Sequence, residues 1–259
     1  MPASLKISPW RTWQADDYYQ EYYGADVQPD EREAIWFQVE FLRSTGLTFS
    51  SAVEYGCGPT LGRAIAASHY VRSIHMADHL ESNLDKVRQW ALGDPNAGDW
   101  SAFTRYVLVC EGIAHPDATQ TQAKEQLTRK RITEFLLTDA KQRYPLGRER
   151  IGFYDLLITG FCVDCISTSK VIWRKCIENV FTVLQGGGSF VVAALRRCKG
   201  YRVGERWFPA CDIDRTDFER ALFRSGADPT FLRIEERDLP SHDAQGYYGI
   251  LLAAGRKQT

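Results

Sequence analysis

The sequence predicts an α/β fold, a mostly parallel sheet with helices on both faces, on three observations. Short apolar runs alternate with amphipathic helical stretches from Ser50 onward, the pattern of a parallel sheet wound with crossover helices. The first run ends in a glycine turn, Gly56-Cys57-Gly58-Pro59, and the second and third end near carboxylates, Asp78 and Asp139. Towards the C-terminus the pattern changes, because a helical stretch over 214–226 is followed by two strand-like runs, 230–239 and 246–255. Joined by the polar turn 240–245, they predict an antiparallel hairpin at the sheet edge.

Taken in order, the first element is aromatic: Trp10, Trp13, Tyr18, Tyr19, Tyr22, Tyr23, Trp36 and Phe37 crowd the start of the chain. A helical pattern from Asp30 to Ser44 stops at Gly46, so 1–46 is expected to form a helical cap on a core of 47–259, the whole being one domain. Strand 50–56 leads into helix 61–70, strand 71–78 into helix 82–92, and strand 153–161 into a helix over Ser169–Leu184; strand 188–195 closes the parallel series. Between them lies the segment 94–130, whose one strand-like piece is 103–110; it reads as a strand followed by a polar, helical insertion ahead of the next core strand, 131–139.

Composition narrows the function. Of 259 residues, 32 are Lys or Arg and 33 Asp or Glu, a formal net charge of −1 with no basic run, which argues against nucleic acid or an anionic membrane as the main partner. No stretch approaches about 18 consecutive apolar residues. The N-terminus lacks an apolar signal region, so a cytoplasmic protein is expected, and no obligate protein partner is evident. Seven cysteines, an odd number in a chain large enough to bury a core, read as reduced thiols. Cys162 and Cys165 form an isolated C-x-x-C without the further ligands that zinc needs, so core thiols are favoured and no metal is expected.

The glycine turn carries the chemistry. In an open parallel sheet, ligands bind beyond the carboxyl ends of the strands, and Gly56 and Gly58 let the backbone approach a ligand where a Cβ would intrude. The spacing G-C-G-P-T-L-G places Gly62 one position late for a dinucleotide fingerprint, and Pro59 lacks the N–H a pyrophosphate would use. An adenosine-containing ligand without phosphate fits, its ribose meeting Asp78 and its adenine edge meeting Asp139; S-adenosylmethionine is such a ligand. The alternative is a plain tight turn, with Asp78 capping a helix.

At these residues the chain resembles the small-molecule amine methyltransferases that act on nicotinamide, phenylethanolamine, indolethylamines and thioethers. Asp17-Tyr18-Tyr19-Gln20-Glu21-Tyr22-Tyr23 resembles the family's D-Y-x-x-x-Y-Y signature, and Gly56-Cys57-Gly58-Pro59-Thr60 its G-S-G-P-T. Asp78 with Asn83, Asp99-Trp100-Ser101 ahead of an expected strand, Asp139-Ala140, and Asp155 to Asp164 follow in family order, so the resemblance covers about Asp17 to Lys257. It implies a Rossmann-like class I methyltransferase fold with a seven-stranded sheet, and S-adenosylmethionine as cofactor. The candidate cofactor-binding residues are then Tyr18, Tyr22, Tyr23, Glu54, Gly56, Gly58, Pro59, Thr60, Asp78, His79, Asn83, Asp139, Ala140, Gly160 and Phe161. Tyr18, Tyr23 and Asp243 are the catalytic candidates: tyrosine rings stabilise a sulfonium by cation–π attraction, and Asp243 falls where phenylethanolamine-type relatives carry an amine-binding acid. Helix packing for the tyrosines and a solvated turn for Asp243 are the alternatives.

The chain departs from that pattern at the acceptor. Ala194 stands where nicotinamide-type relatives carry an acid at the end of the fifth strand, Pro209 and Ala210 stand for serines, and Gly62 for an aromatic residue. A nicotinamide-like acceptor is disfavoured. The expected activity is methylation of a small-molecule nitrogen, in specialised metabolism. Two alternatives stand beside it. In one, S-adenosylmethionine cyclises to azetidine-2-carboxylate with release of methylthioadenosine, against an apolar wall of Ala194, Phe161 and the N-terminal tyrosines; in the other, the chain is a methyltransferase-like subunit that binds the cofactor or a partner protein without turnover.

Overall fold

The computed structural model describes residues 7–24, 26–239 and 246–259. Its helices are α1 (Ala15–Tyr22), α2 (Pro29–Thr45), α3 (Gly62–Ala67), α4 (Glu81–Ala91), α5 (Ser101–Cys110), α6 (Ala118–Arg131), α7 (Lys170–Val180) and α8 (Arg215–Arg224). Its strands are β1 (Ala52–Tyr55), β2 (Ile74–Asp78), β3 (Ile132–Leu137), β4 (Tyr154–Gly160), β5 (Leu184–Arg196), β6 (Gly200–Val203), β7 (Arg206–Pro209), β8 (Arg233–Asp238) and β9 (Gly249–Arg256). Seven of them form one sheet in the order β3-β2-β1-β4-β5-β9-β8. The first five pair in parallel, and β9 lies antiparallel to both β5 and β8. This is the expected parallel sheet with an antiparallel hairpin at its edge; the hairpin turn 240–245, with His242 and Asp243, lies outside the described residues.

Side chains that alternate along each strand supply two separate cores. Ala52, Ile74, Met76 and Ile158 pack on one face with Ile35, Phe37 and Leu42 of α2. Val53, Tyr55 and Leu157 pack on the other with Trp173 and Ile177 of α7 and Phe218 of α8. Each fully buried side chain of this size contributes roughly 1.5–3 kcal/mol. Helix α2 ends where the sequence predicts, at Gly46, whose φ of 63° forms the left-handed cap that glycine adopts without strain. Strands β2 and β3 lie to one side of β1, and β4 and β5 to the other. The order therefore reverses at β1, opening a crevice beyond the carboxyl ends of β1 and β4, where Gly56 and Gly160 stand.

One expectation fails, and one element went unexpected. The run 103–110 is not a strand but most of α5, so Asp99-Trp100-Ser101 precedes a helix. The Asp99 carboxylate accepts the Ser101 N–H at 2.9 Å, and Phe103, Thr104, Val107 and Leu108 form a buried helical stripe against α2, α3 and α6. Packing on three helices overrides the β-branched composition. The polar stretch that follows is helix α6, opened by an Asp117/Gln120 capping box. The β6–β7 hairpin, absent from the expected elements, packs not on the main sheet but on the N-terminal segment: Ile7 bridges Trp207, and the Phe208 ring lies 5.1 Å from both Trp10 and Trp13. Among the described residues, no helix is long and apolar enough to cross a membrane.

Gly56, at φ 70°, has room for no side chain, since a Cβ there would stand 1.9 Å from Cys162 Sγ. Gly46 faces open space. Chemical denaturation should therefore find Gly56→Ala destabilised by roughly 2–5 kcal/mol, from backbone strain plus overpacking, and Gly46→Ala by only about 1–2 kcal/mol, from strain alone.

Candidate active site

The crevice holds a cavity of about 160 Å³, floored by the glycine turn and walled by the ends of β2, β3 and β4. The Gly56 and Cys57 N–H groups both donate to the Ala77 carbonyl, at 2.7 and 3.0 Å, which pins the turn to the end of β2. Gly58, at φ 59°, donates its N–H to Asp78 Oδ2 at 2.8 Å. Asp78 Oδ1 accepts the Leu80 N–H and the Asn83 side-chain amide, each at 2.9 Å. Burial raises the Asp78 pKa, and these donors oppose the rise. One carboxylate thus both organises the approach to α4 and lines the cavity.

Beyond β3, the Thr138 hydroxyl lies 2.9 Å from the Tyr55 hydroxyl and 2.7 Å from the Pro145 carbonyl. His79 Nδ1 lies 3.0 Å from the Thr138 carbonyl; a carbonyl only accepts, so this nitrogen carries the proton. Asp139 Oδ1 accepts the Lys141 N–H at 2.9 Å, shaping the loop at the far end of the cavity. At the end of β4, Phe161 adopts φ 53°, a left-handed conformation that costs a bulky residue strain. Its N–H donates to the Ala193 carbonyl at 2.9 Å, and its ring lies 4.9 Å from the Arg63 guanidinium.

A lid of aromatic side chains covers the cavity. The Trp13 indole N–H donates to Asn83 Oδ1 at 3.0 Å, and its ring lies 4.8 Å from that of Tyr18. Tyr18 in turn lies 5.0 Å from Tyr22 and 5.5 Å from Tyr23. Tyr23 donates its hydroxyl to Glu31 Oε1 at 2.6 Å, and Tyr22 donates to the Arg202 carbonyl at 2.6 Å. Burial raises the pKa of all three phenols, so they stay neutral donors. A second cavity, of about 30 Å³, adjoins the first; Tyr18, Tyr23, Phe161, Cys165 and Tyr201 line both.

Of the residues singled out in the sequence, Tyr18, Tyr23, Gly56, Gly58, Thr60, Asp78, His79, Asn83, Asp139, Ala140, Gly160 and Phe161 line the large cavity. Tyr22 faces the small one. Glu54 and Pro59 are buried and are not among the lining residues of either cavity, and Asp243 lies outside the described residues. Ala194 packs in the core on the opposite face of the sheet, so it is not part of the expected apolar wall; its neighbour Leu195 faces the small cavity. Cys162 and Cys165 both line the large cavity, with their thiols pushed well up by burial. Sequence reasoning missed Arg63, whose signal was a lone charge in the otherwise apolar run Gly62–Ala67, and Glu31, which pairs with it.

Glu54 offers a pH signature. Burial pushes its carboxyl up to about 8, against an ordinary value of 4.5, and its Oε2 has no hydrogen-bond partner. Below the ordinary value the group is protonated in folded and unfolded chains alike. Above it, the unfolded chain releases a proton that the folded chain retains, so stability falls as pH rises towards about 8. Urea denaturation between pH 5 and 8 should show this fall flattened in Glu54→Gln.

Comparison with known proteins agrees with this geometry. The NNMT/PNMT/TEMT family profile matches residues 5–258. Indolethylamine N-methyltransferase of Oryctolagus cuniculus is 26% identical over 217 residues, covering 82% of this chain and 81% of that one. Phenylethanolamine N-methyltransferase of Sus scrofa is 27% identical, covering 84% and 79%, and nicotinamide N-methyltransferase of Sus scrofa is 24% identical, covering 93% and 91%. Among solved structures, the Burkholderia thailandensis 1,6-didemethyltoxoflavin-N1-methyltransferase with bound S-adenosylhomocysteine superposes with a TM-score of 0.56 at 12% identity, covering all of this chain and 94% of that one; it shares the fold. With a match over nearly its whole length, the chain belongs to the NNMT/PNMT/TEMT family of S-adenosylmethionine-dependent methyltransferases.

Proposed function

We propose that this enzyme methylates a nitrogen of a small-molecule amine, with S-adenosylmethionine in the large cavity and the acceptor in the small one. The observation that carries the reading is the shared wall, where Tyr18, Tyr23, Phe161, Cys165 and Tyr201 separate two adjoining spaces. The residues present suit the cofactor. A Cβ on Gly58 would project where the nearest atoms are Thr60 Cγ2 at 3.7 Å and Tyr18 Cε1 at 4.0 Å, leaving the turn open to a close ligand. Bound there, S-adenosylmethionine supplies an electrophilic methyl group on a positively charged sulfur.

The chain's own residues then bind, orient and exclude water. In this reading Asp78 accepts from the ribose hydroxyls, and Asp139 with Ala140 meets the adenine edge. The neutral rings of Tyr18 and Tyr23 face the cationic sulfur, an attraction worth about 0.5–2 kcal/mol, while Tyr22 lines the acceptor side. Holding an acceptor lone pair in line with the methyl carbon supplies much of the rate. The seven unpaired thiols favour a reducing compartment such as the cytoplasm, and we read 1–259 as one domain with 1–46 as its cap.

A second reading is favoured by one observation: at about 30 Å³, the small cavity has room for only a compact group. S-adenosylmethionine would then react with itself, its α-amine displacing methylthioadenosine to leave azetidine-2-carboxylate. Incubation with S-adenosylmethionine and an amine panel should yield S-adenosylhomocysteine only when an acceptor is present; methylthioadenosine without acceptor would favour cyclisation instead. Removing a charged hydrogen-bond partner costs about 1.5–3 kcal/mol, so calorimetry should find S-adenosylmethionine bound about 10–100-fold more weakly by Asp78→Ala.

A further inference from the structure

Helix α2 sends a buried carboxylate into the small cavity. Glu31 is 2% exposed, and its two oxygens are unequally served. Oε1 accepts the Tyr23 hydroxyl at 2.6 Å and both terminal nitrogens of Arg63 at 3.3 and 3.2 Å. Oε2 stands 3.2 Å from one of the same Arg63 nitrogens, yet no donor is directed at it. A buried carboxylate oxygen without a donor is costly and calls for an explanation. Six rings, Tyr18, Tyr22, Tyr23, Phe161, Tyr201 and Tyr247, line the same cavity beside Gln28, Asp30, Cys165 and Leu195, and aromatic rings attract cations at their faces.

We propose that Glu31 is the catalytic carboxylate for the acceptor: its Oε2 binds the acceptor's ammonium group in the ring-lined cavity and takes the proton that must leave before methyl transfer. The proposal rests on the methyltransferase reading above and names the ionic state and the anchor of its acceptor. A compact alkylammonium enters with its N–H directed at Oε2. The N–H bond breaks as an O–H bond forms on Glu31, and the freed lone pair forms the N–C bond to the methyl group. The S–C bond breaks with its electron pair remaining on sulfur, giving S-adenosylhomocysteine and a methylated ammonium, and Glu31 later returns its proton to solvent. Arg63, Asp30, Tyr23, Tyr18 and Glu54 interact with this carboxyl, and the phenols of Tyr22, Tyr201 and Tyr247 and the Cys165 thiol line the same cavity. Burial raises the Glu31 pKa and Asp30 adds to the rise, while Arg63 opposes it by favouring the ionised form.

The test uses the full chain saturated with S-adenosylhomocysteine, titrated calorimetrically with isobutylamine and with isobutanol as its uncharged counterpart. At least a tenfold preference for the amine is expected in the unmodified protein, and Glu31→Gln should bring it to within threefold while leaving S-adenosylhomocysteine affinity within threefold. Because Glu31→Gln leaves the buried Arg63 charge without its partner, Glu31→Asp serves as the second variant. It keeps the charge but withdraws the oxygen, so KM for amines should rise about tenfold, and the acidic limb of the kcat/KM pH profile should move. Equal binding of amine and alcohol, or a preference that survives Glu31→Gln, would overturn the role of Glu31 alone, leaving methyl transfer standing. Failure of S-adenosylhomocysteine to bind would overturn both.

Discussion

The Asp78 carboxylate accepts from three parts of the chain at once: the Gly58 N–H in the turn after β1, the Leu80 N–H ahead of α4, and the Asn83 amide within α4. A buried anion demands donors, and each donor fixed in place fixes a piece of cavity wall. Asn83 passes the order further, because its amide oxygen accepts from the Trp13 indole, so the lid is tied to the floor through a single side chain. The arrangement couples the end of β2, the glycine turn and the aromatic segment 10–23 through a few short bonds.

A second constraint is steric. Gly56 lies against Cys162, and Gly160 against the Arg63 guanidinium, with no space at either position for a Cβ. The bare Gly160 leaves room for the buried Arg63 guanidinium, which lies against the Phe161 ring. Buried ion pairs seldom add net stability over apolar packing of the same volume. The Arg63–Glu31 pair is therefore better understood through the geometry it imposes, with Tyr23 held by Glu31 and the rings of Tyr18 and Tyr22 arrayed beside it.

Much of the fold was legible because its signals are local. Alternating apolar runs with intervening amphipathic stretches named the parallel strands, and Gly46 marked the end of α2 by a conformation that glycine adopts freely. The run 103–110 misled because Phe, Val and Tyr suit a strand as well as a helix, and only its burial against α2, α3 and α6 decides between them. The β6–β7 hairpin left little pattern, since it packs on Trp10 and Trp13 and not on the sheet.

For the cavity, the sequence by itself determined the glycine turn and the acids that end β2 and follow β3, because residue type and strand-tip position are enough to place them there, and the resemblance to the family's signature pointed to the tyrosines ahead of α2. Tertiary structure alone decided that Arg63 and Glu31 meet, that Leu195 and not Ala194 faces the small cavity, and that Tyr18 and Tyr23 belong to both spaces. Those facts depend on side-chain direction and on contacts between residues far apart in the chain, which a local period of two or 3.6 residues does not encode.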